Sequence, residues 1–196
     1  YPVKRIVGDV VRVGADVLKE GHEVIAAQIV VRPPSGPPLP VPMRYDHDSD
    51  RWNGEFAADA IGRWFFTVEA WTDVWETWRS GFRKKVDAGQ DVRVELLEAA
   101  QYVKAATRRA KGDARATLLR MAKLFDDADG TSADTARQAL DPALAELMRE
   151  NFVANDITRY ARELAVVVDR KQAGFGAWYE FFPRSTDPSG KHGTFK

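Results

Sequence analysis

The sequence predicts a mixed α and β fold: an immunoglobulin-like β-sandwich followed by or interrupted by a small α-helical bundle. Three observations carry that prediction. Up to about Val92, apolar residues recur at period two in short segments separated by turn residues, as half-buried strands do. Beyond Ala88-Gly89-Gln90-Asp91 the apolar period becomes helical, and no proline occurs before Pro142. From Gly174 to Ser185 the chain is dense in aromatic residues and strand-like.

In the first strand Val11, Val13, Ala15 and Val17 alternate with Arg12, Gly14 and Asp16, so one face is apolar. The turn Lys19-Glu20-Gly21-His22-Glu23 leads into a β-branched strand from Val24 to Arg32, which the Pro33–Pro38 cluster ends. A short strand is expected over Trp52–Ala57. Ile61-Gly62 then turns into Arg63–Trp71, where Trp64, Phe66, Val68 and Ala70 share a face. Thr77–Val86 is expected as a further strand, with Trp78, Phe82 and Val86 on one side. The first helix carries Val94, Leu97, Gln101 and Lys104 flanked by Leu96, Ala100 and Val103. A second begins near Asp113, is marked by Leu118, Met121, Ala122 and Phe125, and stops by Gly130. Ser132 caps a third helix through Leu140. Asp141 at the N-cap with Pro142 behind it opens a fourth, through Leu144, Leu147 and Met148. Ile157–Asp169 reads two ways, as helix near Tyr160–Leu164 and as strand at Ala165–Val168. The expected division is 1–92 for the β-sandwich, 93–164 for the helices and 165–196 for a return strand and the aromatic run, with the helical part either inserted or in tandem.

Composition narrows the function. Lys plus Arg and Asp plus Glu are 29 each, for a formal charge of zero, which argues against nucleic acid as partner, since that affinity rests on basic surface. No apolar run is long enough for a membrane span. The first residues lack the apolar core of a signal peptide, and there is no cysteine for disulfide or thiol chemistry. A cytoplasmic protein is the expectation.

Several clusters invite a chemical reading. Trp71, Trp75 and Trp78 gather around Asp73, and exposed indole faces stack on sugar rings; Trp75 and Trp78 are therefore candidate carbohydrate contacts, although packing in a core accounts for them better. His22 and His47 have no second ligand at metal spacing. Asp46-His47-Asp48-Ser49-Asp50 lacks the glycine and distal glutamate of a calcium loop, so a solvated turn is expected, with no metal and no cofactor. Lys104, Arg108, Arg109 and Lys111 make a basic helix end beside the acidic Asp126, Asp127 and Asp129. Glu95 and Glu98 lie one turn apart, but no Glu-x-x-His companion completes a di-metal site.

Three stretches resemble one family. These are Val7-Gly8-Asp9 through Lys19-Glu20-Gly21-His22-Glu23-Val24-Ile25-Ala26-Ala27; Gly62 through Asp73 with Thr77-Trp78-Arg79; and Gly176-Ala177-Trp178-Tyr179-Glu180-Phe181-Phe182-Pro183-Arg184-Ser185 with His192-Gly193-Thr194-Phe195. The chain is similar there to the glycoside hydrolase family 13-like maltosyltransferases that use α-maltose 1-phosphate. The resemblance implies that the aromatic run is the first strand of a (β/α)8 catalytic barrel, that the sequence is cut from a larger protein, and that this part is non-catalytic. It implies an enzyme that transfers maltosyl units to α-1,4-glucans with retention, through two carboxylates beyond Lys196. It also implies a homodimer assembled through the sandwich and helical domains. Under it, Glu180 takes a structural role with Arg184 as partner, and His192, in the loop leaving the barrel strand, is a candidate approach to the substrate pocket.

Overall fold

A computed structural model describes residues 2–151, 154, 156–176, 182 and 187–193. Strands β1 (Val3–Ile6), β2 (Val10–Ala15), β3 (Ile25–Arg32), β4 (Leu39–Pro42), β5 (Arg44–Asp46), β6 (Arg51–Ala57) and β7 (Gly62–Thr72) come first. Helices α1 (Val74–Asp87), α2 (Arg93–Ala106), α3 (Gly112–Asp126), α4 (Ala133–Ala139) and α5 (Pro142–Asn151) come next, then β8 (Thr158–Arg159) and β9 (Leu164–Asp169). The fold is mixed α and β, as the sequence predicts.

One sheet has the order β1-β9-β7-β3-β4, with β8 also pairing with β7; the other has the order β2-β6-β5. The alternation in β2 buries Val11 and Val13, and Trp64 and Phe66 do the same in β7. These residues join Ile29, Val31, Phe56, Val166 and Val168 in one hydrophobic cluster between the sheets. Phe56 on β6 lies 6.0 Å from Trp64 and 5.9 Å from Phe66, ring centre to ring centre. Gly54 lets the sheets approach, because a Cβ there would sit 2.9 Å from the Cδ1 of Ile29. Strands β1, β4, β5 and β8 are not anticipated by the sequence, and the reason is plain for two of them. β4 carries Pro40 and Pro42, which read as breakers, yet a proline is tolerated on an edge strand such as this one. β1 is short and pairs in parallel with β9, Val3 opposite Val166, far away along the chain.

The segment expected as a strand over Thr77–Val86 is helical: it lies within α1. Trp78, Phe82 and Val86 are spaced by four, which keeps them on one face in either structure, so that spacing does not discriminate. Trp75, three residues before Trp78, fits only the helical period, and Asp73-Val74-Trp75-Glu76 is an N-terminal signature. Asp73 accepts from the Glu76 N–H at 2.9 Å. The rings of Trp75 and Trp78 stack at 4.7 Å, and those of Trp78 and Phe82 at 4.7 Å. Together with Leu96, Val103, Leu118, Phe125 and Met148 they build a second hydrophobic cluster. In α2 the inward face is Leu96, Ala99, Ala100 and Val103, while Val94 stands exposed. Ser132 caps α4 through Thr135 N–H, and Asp141 accepts from Ala143 N–H at the start of α5.

The other correction concerns Tyr160–Leu164, where no helix forms: the chain bends between β8 and β9. Here sheet pairing overrides local propensity, since Thr67 Oγ1 donates to the Tyr160 carbonyl and Leu164 takes its place opposite Phe66. The chain leaves the larger sheet after Thr72 and re-enters it at Thr158, so α1 to α5 lie between β7 and its partner β8. Asp156 fastens that return, accepting from the Thr72 N–H at 3.3 Å and from its Oγ1 at 2.5 Å.

Candidate functional site

Where β7 runs into α1, the end of the larger sheet and the helices enclose a cleft of ≈ 430 Å³. Trp71 and Trp52, both half-buried, line its sheet side. Asp73, Trp75, Glu76 and Arg79 line it from α1, and Glu146, Met148 and Arg149 from α5. The β7–α1 junction forms because Asp73 ends the strand and caps the helix, so one short stretch supplies both walls. Arg79 reaches across: Nη1 pairs with Glu76 at 2.8 Å and Nη2 donates to the Leu140 carbonyl at 2.9 Å. Glu146 and Arg149 pair on the α5 side. The Nε1 of Trp75 and the Nε of Arg79 are buried donors with no acceptor among the described residues.

Burial raises the Asp73 carboxyl above its ordinary 3.8, Glu76 nearby adds to the rise, and the Glu76 N–H opposes it. A carboxyl raised in the folded state favours folding when protonated, so its contribution is present at low pH and is lost as pH climbs through the raised value. Asn caps a helix as well as Asp and carries no charge. Asp73→Asn is therefore expected to flatten the stability–pH curve in the region above 3.8 while holding α1 in place. Urea midpoints measured at intervals between pH 4 and 8 read this; an unchanged curve removes Asp73 as a source of that slope.

Of the sequence-derived candidates, the structure brings Trp75 and Trp78 together. Trp75 and Trp78 are 2% and 7% exposed, inside the helical cluster, and Trp78 Nε1 donates to the Glu95 carbonyl at 3.0 Å. Neither is open to solvent; the half-buried indoles that line the cleft are Trp71 and Trp52. His22, His47 and His192 are exposed and far apart in sequence, and His47 makes an edge contact with Tyr45. Asp46–Asp50 forms the turn between β5 and β6. Lys104 pairs with Asp126, so the basic helix end meets the acidic loop locally. Glu95 pairs with Lys85, and Glu98 accepts from the Tyr102 hydroxyl at 2.6 Å. Glu180 and Arg184 lie outside the described residues, as does most of the expected barrel strand.

Glu69 is a buried carboxylate that sequence reasoning missed. It is 7% exposed on β7, with one oxygen accepting from Gln28 Nε2 at 2.7 Å and the other from Arg159 Nε at 2.8 Å. Its signal is a lone carboxylate in an apolar strand, which requires a partner when buried. A second groove of ≈ 630 Å³ runs along β2 over Phe66 and Val68, with exposed Leu18 and Tyr160 at its rim.

Residues 1–170 match the family described as "Alpha-1,4-glucan:maltose-1-phosphate maltosyltransferase, domain N/S". Curated relatives with the name alpha-1,4-glucan:maltose-1-phosphate maltosyltransferase match throughout. The Myxococcus xanthus protein is 42% identical over 213 residues, covering 100% of this chain and 30% of its own length. The Chlorobaculum tepidum protein is 39% identical over 198 residues, with 100% and 29% covered. The Mycobacterium tuberculosis H37Rv protein is 36% identical over 227 residues, with 100% and 32% covered. The chain thus spans about 30% of the length of these relatives.

Proposed function

This chain belongs to the domain N/S family of the α-1,4-glucan:maltose-1-phosphate maltosyltransferases, and we propose from that premise that it is the non-catalytic front of such an enzyme. In this reading the whole protein transfers maltosyl units from α-maltose 1-phosphate to the ends of α-1,4-glucans. The two sheets act as an immunoglobulin-like sandwich, the helices as a bundle inserted into it, and the aromatic run from Gly176 as the entry to the catalytic barrel. This front part assembles a homodimer and braces the active site, in the cytoplasm.

One observation carries the non-catalytic reading: among the described residues, the buried Glu69 and the partly buried Asp73 are already engaged in holding the fold. Retaining glycosyl transfer uses two carboxyl groups roughly 5–5.5 Å apart that face the sugar. Both oxygens of Glu69 are engaged by Gln28 and Arg159, and Asp73 caps α1. The apolar rim at Leu18, Tyr160 and Leu164 is surface that a subunit or domain contact would cover.

The test is phosphate release from α-maltose 1-phosphate with a glucan acceptor, run on this chain beside the protein extended downstream. Activity is expected only in the extended protein. Inactivity of both removes the enzyme reading, activity of the chain alone removes the accessory one, and a monomeric extended protein in sedimentation removes the dimer.

A further inference from the structure

We propose that the cleft between the β3–β7 sheet end and helices α1 and α5 is a binding site for a neutral α-glucan chain, seated on Trp71 and Trp52 and held by the paired side chains of its rim. The choice of α-glucan among neutral sugars rests on the maltosyltransferase reading; the chemistry of the cleft stands on its own.

Trp71 carries the first argument. It belongs to neither hydrophobic cluster, yet it is a large indole standing half-buried in the wall of an open cleft. Packing accounts for Trp75 and Trp78 and leaves Trp71 unexplained. Trp52, from the other sheet, lines the same space; it packs against the margin of the inter-sheet cluster and lies 5.6 Å from the Tyr45 ring, centre to centre. Indole faces pair with the apolar C–H faces of sugar rings, and their cost in side-chain ordering is small because they have two torsions.

Charge carries the second. Glu76 pairs with Arg79 and Glu146 with Arg149, so the charged groups around the cleft are largely matched in sign. A matched rim gives an anion or a cation little net attraction, while planar carboxylate and guanidinium groups offer adjacent acceptors and donors to neighbouring hydroxyls. At ≈ 430 Å³ the cleft lies within the range of small-ligand sites, roughly 300–1,000 Å³.

Maltoheptaose titrated into this chain, monitored by indole fluorescence and calorimetry, tests the assignment. Saturable binding is expected, weakened about tenfold by Trp71→Ala, the size of a lost aromatic contact. Arg149 is half exposed, so Arg149→Ala leaves the fold intact and is expected to weaken binding about threefold through one lost charged hydrogen bond. Circular dichroism checks that each variant is folded. No saturable binding overturns the proposal, as does undiminished affinity in both folded variants or displacement of the sugar by inorganic phosphate. The phosphate-release assay on the extended protein fails or succeeds independently, so loss of the transferase reading and loss of the cleft are separate results.

Discussion

Trp75→Ala is expected to lower stability by about 3–5 kcal/mol, the range for deleting a large aromatic from a well-packed core. Trp75 is 2% exposed and begins the stack that runs through Trp78 to Phe82 on the inner face of α1. Truncation leaves a void that the neighbouring helices close only in part, and it removes one aromatic pairing as well as buried area. At this chain length, 1 kcal/mol corresponds to about 2–4 °C, so the melting temperature is expected to fall by about 6–20 °C. Trp75→Phe separates packing from polarity. It keeps most of the ring and deletes an N–H that has no acceptor among the described residues, so it is expected to lose about 1.5 kcal/mol or less. Urea denaturation of both variants decides the matter. A loss below about 1 kcal/mol for Trp75→Ala shows that the helical cluster does not depend on this stack.

The strand expected at Thr77–Val86, and the helix α1 found there, show what local pattern can and cannot resolve. A spacing of four is shared by the two regular structures, and a run beginning at Thr77 excludes both Trp75 and the Asp73 cap that break the tie. Strands β2, β3, β6 and β7 and helices α2 to α5 are legible because their periods, caps and punctuation agree within one segment. β1 and β8 are not, since each is short and owes its existence to a partner remote in sequence, β9 for one and β7 for the other. The same limit governs the cleft. Trp52, Trp71 and Arg149 sit on three elements, β6, β7 and α5, that only tertiary packing brings to one cleft. The aromatic abundance around Asp73 is legible as a place of interest. Which indoles face inward is not, because that depends on the helical period of α1.

Gly130→Ala is expected to destabilise by about 2–4 kcal/mol, combining left-handed backbone strain with overpacking. Gly130 has φ +86°, and a Cβ there would lie 2.4 Å from Asp91 Oδ1 and 2.6 Å from the backbone nitrogen of Arg93. A flexible side chain can yield, but the Arg93 nitrogen belongs to the first turn of α2. Its N–H is already engaged, donating to the Asp91 carboxylate at 2.9 Å. The Gly130 carbonyl meets Val92 N–H at 3.4 Å, and Arg93 also donates to the Ala128 carbonyl, so the loop after α3 is laced to the start of α2. The methyl group has nowhere to go unless that lacing opens. Hydrogen exchange distinguishes this from uniform loss. The Val92 and Leu96 amides are expected to lose protection first, while those of β3 and β7 keep theirs until global unfolding. Unaltered stability in Gly130→Ala would show that the α3–α4 loop is free to leave the start of α2, and that the packing of α2 on α3 is sustained by Leu96, Val103, Leu118 and Phe125 without it.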